Sequence, residues 1–420
     1  MADIQGQLAI LRAKIASVER RTALPQAPPP VHRPRANHAL QEMLGSWDHA
    51  EEVETSFGQH FECERLWPSH KRHGSVEVSD LFSLPQDHLT GLAGGEFPVC
   101  DVSRWAFLDT ETTGLAGGSG TYAFLVGVGR ITEDGFRVRQ FFMRDFSEEA
   151  SMLDALAQHL ADFDVLVTYN GRAYDQPLLE TRYRMSRARP PFSNLCHLDL
   201  LFGARRLWKL RFESCRLVEL EYQILGVERV GDIPGAMIPY VYFEYVRTGR
   251  SLRLGPVFEH NALDIITLAC LTAIVPRAFQ PQGWELFPVR HPAELVGLGR
   301  WLRQAGQLEE ATQLFRKAIA GGLAEELTWR TMWDLAALER KLEKHDAALA
   351  LFSELAGVLN PFQTASCEEL AKHYEHRERN PSIAMEFVLA ALALDPHPGL
   401  EKRRTRLEAK MRKPKPRRLL

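Results

Sequence analysis

Two acids two residues apart, at the end of an apolar run, are the first sign of chemistry in this chain. Trp105 to Leu108 is apolar and runs directly into Asp109-Thr110-Glu111-Thr112-Thr113-Gly114-Leu115. On a strand, residues i and i+2 face the same way, so Asp109 and Glu111 point together out of the strand end. Carboxylates held that close raise each other's pKa unless a cation neutralises them, and hard oxygen ligands suit Mg2+ or Mn2+. A lone D-x-E arises by chance in a chain of this size. The strand before it and the Thr-Thr-Gly-Leu behind it make the pattern specific. A second element, Asn170-Gly171-Arg172-Ala173-Tyr174-Asp175, again follows a short apolar run, Val165 to Tyr169. A third, His260-Asn261-Ala262-Leu263-Asp264, opens the apolar stretch Ile265 to Ile274 and sets His260 and Asp264 four apart, on one helical face.

Bringing three distant segments together requires a sheet. Tyr122 to Ile131 and Phe136 to Met143 are β-rich runs joined by the turn Thr132-Glu133-Asp134-Gly135. Leu153, Leu156, Ala157 and Leu160 then share one helical face. Hairpin-like strands, a helix, a strand and further helices describe an α/β domain with a mixed sheet over residues 101–280. Residues 46–100 are expected to pack on it as an N-terminal extension. Ahead of them, residues 1–45 hold an amphipathic helix (Ile4, Leu8, Leu11, Ile15, Val18) and a stretch with five prolines from Pro25 to Pro34, read as a partly disordered linker.

After about residue 290 the strands vanish. Ala311, Ala348 and Ala384 recur at intervals of 37 and 36 residues, Phe315 and Phe352 repeat at 37 with Phe387 near phase, and Gly299, Ala336 and Ala371 hold a small-residue place. This pattern resembles tetratricopeptide repeats, helix pairs whose small residues permit close approach; an irregular helical bundle is the alternative. The region 290–400 is therefore expected to be all-α. The segment 401–420 is a basic tail, either a phosphate contact or a solvated terminus.

The three acidic segments, in this order, resemble the motifs of DEDD-type 3′–5′ exonucleases, which share the RNase H-like fold with its five-stranded type of mixed sheet. Asp109 to Leu115 matches the first motif completely, Asn170, Tyr174 and Asp175 match the second, and Asp264 stands for the fourth acid. The chain looks closest to bacterial RNase H-like-domain proteins with tetratricopeptide repeats behind the nuclease. The Gly117–Leu125 run, His197-Leu198-Asp199-Leu200-Leu201 and Asp232-Ile233-Pro234-Gly235 strengthen that match. The resemblance implies two divalent ions, Mg2+ or Mn2+, held by Asp109, Glu111, Asp175 and Asp264. It further implies nucleic acid, DNA or RNA, as the substrate, with Thr112, Gly114, Leu115, Asn170, Tyr174 and Asn261 as contacts. A structure-selective endonuclease and a non-catalytic nucleic-acid-binding scaffold are the rival readings.

One departure stands out. Family members place a histidine base five residues before the last acid, or a tyrosine four before. Here Glu259 is five before and His260 four before. His260 has the right chemistry for proton abstraction near neutral pH and is assigned that role, with helix capping or substrate contact as alternatives. Asp199 reads as a capping residue or a support for the site, and Asp232 as a loop residue. Arg205, Arg206, Lys209 and Arg211, interleaved with Trp208 and Phe212, suit either a single-strand binding surface or a solvated helix face with a buried Trp. His60, His70 and His73 read as surface or core histidines.

Bulk properties exclude little. The formal charge of −3 announces no global positive field. The six cysteines form no C-x-x-C pair, which argues against a zinc site or a disulfide scaffold. The start has no secretory pattern, and the longest apolar run noted, Ala123 to Val128, is too short to cross a membrane. A cytoplasmic protein is the expectation, with the repeats as a possible platform for a protein partner.

Overall fold

The computed structural model describes residues 34–45, 47–84, 86, 89, 96–114, 120–279 and 291–412. The expected helix over residues 4–18, most of the Pro25–Pro34 stretch, Leu115, residues 117–119 of the glycine run and the end of the basic tail lie outside them.

A seven-stranded mixed sheet organises the first two thirds of the chain. Its strands are β1 (His49–Thr55), β2 (Gly58–Pro68), β5 (Trp105–Thr112), β6 (Ala123–Thr132), β7 (Gly135–Phe142), β8 (Val165–Thr168) and β9 (Cys196–Asp199), in the order β1-β2-β7-β6-β5-β8-β9. The short strands β3 (Arg72–His73) and β4 (Val76–Glu77) form a separate hairpin. β5 pairs antiparallel with β6 and parallel with β8, which pairs parallel with β9. Strands β5 to β8 are the four runs the sequence singled out, whereas β9 was read only as the start of the following helix and completes the five strands the resemblance implied. β1 and β2 add two more along the free edge of β7, so the N-terminal extension is part of the sheet and covers an edge that would otherwise invite association.

Helices cover both faces of this sheet, which is why β6 reads as a nearly continuous apolar run rather than an alternating one. On one face lie α2 (Glu149–Leu160) and α6 (Ile238–Thr248), sharing a core with Leu108, Phe124, Val126 and Phe142. The other face packs α4 (Leu200–Trp208) and α7 (Gly255–Ala278) against Phe107, Phe136 and Val167. α1 (Pro34–Met43) precedes β1, α3 (Asp175–Met185) follows β8, and the short α5 (Leu217–Leu220) precedes α6. α7 approaches β6 closely because Gly127 has no side chain: a Cβ there would stand 2.2 Å from Asn261 Oδ1. α7 is long and apolar enough to cross a membrane, which the sequence reading overlooked, yet 78% of its apolar window is buried inside the domain.

The C-terminal third is all-α: α8 (Pro292–Gln304) with α9 (Leu308–Ala320), α10 (Glu325–Lys341) with α11 (His345–Ala356), α12 (Gln363–His376) with α13 (Pro381–Leu394), then α14 (Pro398–Arg412). Ala311, Ala348 and Ala384 are all buried, as are Ala336 and Ala371. A Cβ at Gly299 would come within 2.5 Å of the Phe315 ring, so the small residue makes room for the recurring aromatic. The basic segment is corrected over residues 401–412. It is no free tail there but a helix, with Leu400 and Leu407 buried in the repeats. α8 docks on α4, with Gly297 against the Arg206 carbonyl and Arg211 paired to Glu294 at 2.6 Å.

Candidate active site

The strand that carries the first acids leaves the core where they begin. Trp105 to Leu108 are buried, and Asp109 to Thr112 are half-exposed. Asp175 opens α3 just beyond the end of β8, the neighbouring parallel strand. Asp264 projects from the third turn of α7, which crosses β5 and β6. Three elements, β5, α3 and α7, thus deliver Asp109, Glu111, Asp175 and Asp264 to one end of the sheet. Alternation along β5 then sends Thr110 the other way, and its hydroxyl donates to Asp175 Oδ1 at 2.5 Å.

All four acids are raised above the ordinary carboxylate range, with burial the largest cause. Burial, then Asp264 and Asp175, push Asp109 well above the ordinary carboxylate range, against a hydrogen bond from Asn261 and the charge of Arg229. Glu111 is driven well up by burial and then by Asp109, Asp264, Asp175 and Asp232. Burial raises Asp175 to about 6 despite the Thr110 bond. Asp264 is raised by burial and held back by Arg229 and His260. Among the described residues no three His, Cys, Asp or Glu side chains already stand around one point at ligand distance. The donor set nonetheless fits a divalent cation: it is all hard oxygen, and its mutual repulsion is relieved only by positive charge. Binding an ion requires these carboxylates to draw inward.

The turn of the second motif is built by two residues. Asn170 adopts φ +69°, a left-handed conformation that Asn tolerates better than most. Asp199 accepts from the backbone N–H of Asn170 at 2.8 Å and Arg172 at 3.2 Å, and caps α4 through Leu201 N at 3.1 Å. Asp199 is therefore both cap and support. His197 bridges Thr168 (2.7 Å) and Gln176 (2.6 Å), tying β8 to α3. Burial and the nearby Arg172 depress it to about 4, keeping it neutral.

The expected substrate contacts divide. Tyr174 is 59% exposed beside Asp175 and can reach a ligand. Gly114 is half-exposed, and the Thr112 hydroxyl donates to its carbonyl at 2.9 Å, shaping the turn after β5. Asn261 is corrected. It is fully buried, donates to Asp109 Oδ2 at 2.8 Å and accepts from Gln140 at 2.7 Å, so it positions a carboxylate and does not face substrate. The basic cluster fits the second of its two readings, a solvated helix face with a buried Trp: Trp208 is buried, Arg205 and Lys209 are exposed, and Arg211 is engaged by Glu294 of the repeats. His73 is buried on Glu221 and Thr267 and His60 on Ser151 and Glu62, while His70 is exposed.

Three site residues had escaped the sequence reading. Asp232, read as a loop residue, places both carboxylate oxygens on His260 Nδ1, at 2.8 and 2.9 Å. Arg229, almost fully buried, donates to Asp264 Oδ1 at 2.6 Å and to Asp232 Oδ2 at 3.3 Å, with its Nε on Glu221. Thr110 braces Asp175. The Asp232-Ile-Pro-Gly string had been singled out, but no spacing rule places such a loop beside α7. Glu259, five before the last acid, is engaged by Arg65 of β2. That leaves His260 as the imidazole beside Asp264, its Nε2 3.7 Å from Asp264 Oδ2.

Residues 106–275 match the family described as the RNase_H superfamily, and such a domain points to a nuclease acting on nucleic acid, in a fold family that typically uses divalent metals. The chain is 30% identical over 289 residues to "Uncharacterized protein YprB" of Bacillus subtilis (strain 168), covering 68% of each chain. Among solved structures it is similar to a chain in "Crystal structure of APC/C hetero-tetramer Cut9-Hcn1", at 18% identity and TM-score 0.26, over 62% of this chain and 47% of that one. The match thus spans about half the length of that chain.

Proposed function

The chain belongs to the family of Bacillus subtilis YprB, with an RNase_H superfamily domain at its centre, and from this premise we propose that it is a 3′–5′ exonuclease working with two divalent ions. The observation that carries the reading is the meeting of Asp109, Glu111, Asp175 and Asp264 at one sheet end, where Asp175 and Asp264 raise the pKa of both Asp109 and Glu111. A binding module gains nothing from crowded acids, which repel phosphate. These four residues would hold Mg2+ or Mn2+, which when bound supplies an acidified water and positive charge at the scissile phosphate. Around that centre the chain's own residues hold and orient: Asn261 fixes Asp109, Thr110 fixes Asp175, and Arg229 fixes Asp264. Tyr174 is placed to stack on a base. The repeats are a docking platform for a protein partner or for part of the substrate, and the protein acts in the cytoplasm.

The test uses purified full-length protein with Mn2+ or Mg2+ and 5′-labelled single-stranded DNA and RNA, linear and circular. A ladder shortening from the 3′ end, abolished by EDTA and by Asp109→Ala with Glu111→Ala, is the expected result and identifies the preferred sugar. Cleavage of circles would convert the reading to an endonuclease. No cleavage of any strand, with binding intact, would leave the scaffold reading in its place.

A further inference from the structure

His260 lies between two carboxylates that treat its two nitrogens differently. Nδ1 is within 2.9 Å of both oxygens of Asp232, whereas Nε2 is 3.7 Å from Asp264 Oδ2, beyond hydrogen-bond length. An ionised carboxylate only accepts, so a neutral imidazole bonded to one must carry its proton on that nitrogen. Nε2 is then left with its lone pair toward the acidic site.

Asp232 is itself held. The backbone N–H of Ile233 donates to its Oδ1 at 2.8 Å and Arg229 Nη1 to its Oδ2 at 3.3 Å. Arg229 is in turn fixed by Glu221, which accepts from Thr267 of α7 at 2.6 Å. A loop far from α7 in sequence thereby carries an oriented acid to the back of the imidazole.

We propose that Asp232 is a positioning residue for phosphodiester hydrolysis, holding His260 in the tautomer whose Nε2 accepts a proton from the attacking water. The role rests on the nuclease reading above. In the step, the water O–H bond breaks and its proton passes to Nε2 as the oxygen forms its bond to phosphorus. The P–O3′ bond breaks with its electron pair on the 3′ oxygen of the shortened strand, which takes a proton from solvent. The imidazolium, stabilised by Asp232, returns its proton to solvent. Placing the histidine four residues before Asp264 sets both on one face of α7, and the Glu259 position faces Arg65 instead.

Two measurements on the full-length protein test this. The first is the ring 1H–15N correlation of His260, assigned by its loss in His260→Gln. A proton on Nδ1 is expected, and a neutral ring protonated on Nε2 overturns the proposal whatever the activity. The second is kinetic. Asp232→Asn, whose amide can favour the wrong tautomer, should lower kcat by about 10²- to 10⁴-fold with KM within about threefold. Asp232→Glu should recover part of the loss. In the His260→Gln background the further loss from Asp232→Asn should be no more than about twofold, because the two act as a unit. A full multiplicative loss in that background, or a KM that rises and a thermal midpoint that falls along with kcat, means Asp232 only anchors its loop and overturns the role. Wild-type protein that cleaves nothing, with the expected tautomer observed, overturns the nuclease reading itself and removes the reaction the pair was to serve.

Discussion

Acids are handled in opposite ways in the repeats and at the end of the sheet, where of the four gathered acids only Asp264 meets a cation, Arg229 at 2.6 Å. In the repeats the buried ones are matched by cations. Asp334 meets Arg303 at 2.9 Å, Glu339 meets Arg316 at 2.7 Å, and Glu375 meets Arg403, Arg406 and Lys410 at 2.6 to 2.8 Å. At the sheet end, Asp109 leans on the neutral Asn261 and Asp175 on the neutral Thr110, while the charges that move Glu111 all raise it. Matched acids are staples between helices. Crowded acids are a cost to the fold, and sites that cost stability are where function is to be sought.

The sharpest way to break this contrast is the pair Asp109→Asn with Glu111→Gln. Cleavage should fall by about 10³-fold or more, since several kcal/mol of transition-state stabilisation depend on the metal site. In EDTA the same variant should unfold at higher urea, by about 1–2 kcal/mol of stability. A less stable variant would mean that the resting acids do not oppose one another. Next in size, Mn2+ at 100 times its Kd should stabilise the wild-type nuclease domain by about 2.7 kcal/mol and leave that variant unmoved, measured by thermal unfolding. Equal shifts in both proteins would locate the ion elsewhere.

The opposite sign is expected in the repeats. Glu375→Ala should cost about 2 kcal/mol, the scale of a charge-assisted hydrogen bond, with no response to Mn2+. A neutral or stabilising result in urea melts would remove the staple reading. Glu375 also supplies the smallest effect, a pH dependence. Burial would raise its pKa, but Arg406 and Lys410 outweigh it and hold the carboxyl at about 2 against an ordinary 4.5. A depressed acid stabilises above its unfolded pKa, so the contribution is whole above about pH 4.5 and lost as pH falls toward 2. Circular dichroism from pH 5 to 2 should show a shallower loss in Glu375→Ala than in the wild type.

Much of the site was legible because its signals are local. Asp109 and Glu111 share a face through strand alternation, and His260 and Asp264 through helix periodicity. Gly299 and Ala311 were legible as repeat positions because close helix packing demands small residues at a fixed period. Arg229 and Asp232 carry no such mark: an arginine and an aspartate in a loop look like surface residues until the loop is folded across α7. Asn261 sat inside a motif and was read as a substrate contact, because burial depends on Gly127 of a strand more than a hundred residues away.

The sequence by itself determined that Asp109 pairs with Glu111 and His260 with Asp264, and that a helical array follows; the gathering of all four acids was what the resemblance implied. Periodicity and motif spacing are properties of short stretches, and short stretches settle them. Tertiary structure alone decided the rest: two further strands on the β7 edge, α14 docked where a free tail was expected, Arg211 paired with Glu294 of the repeats, and an acid behind His260. These depend on which surfaces meet, and pairings between residues tens to hundreds apart leave no period in the chain to read.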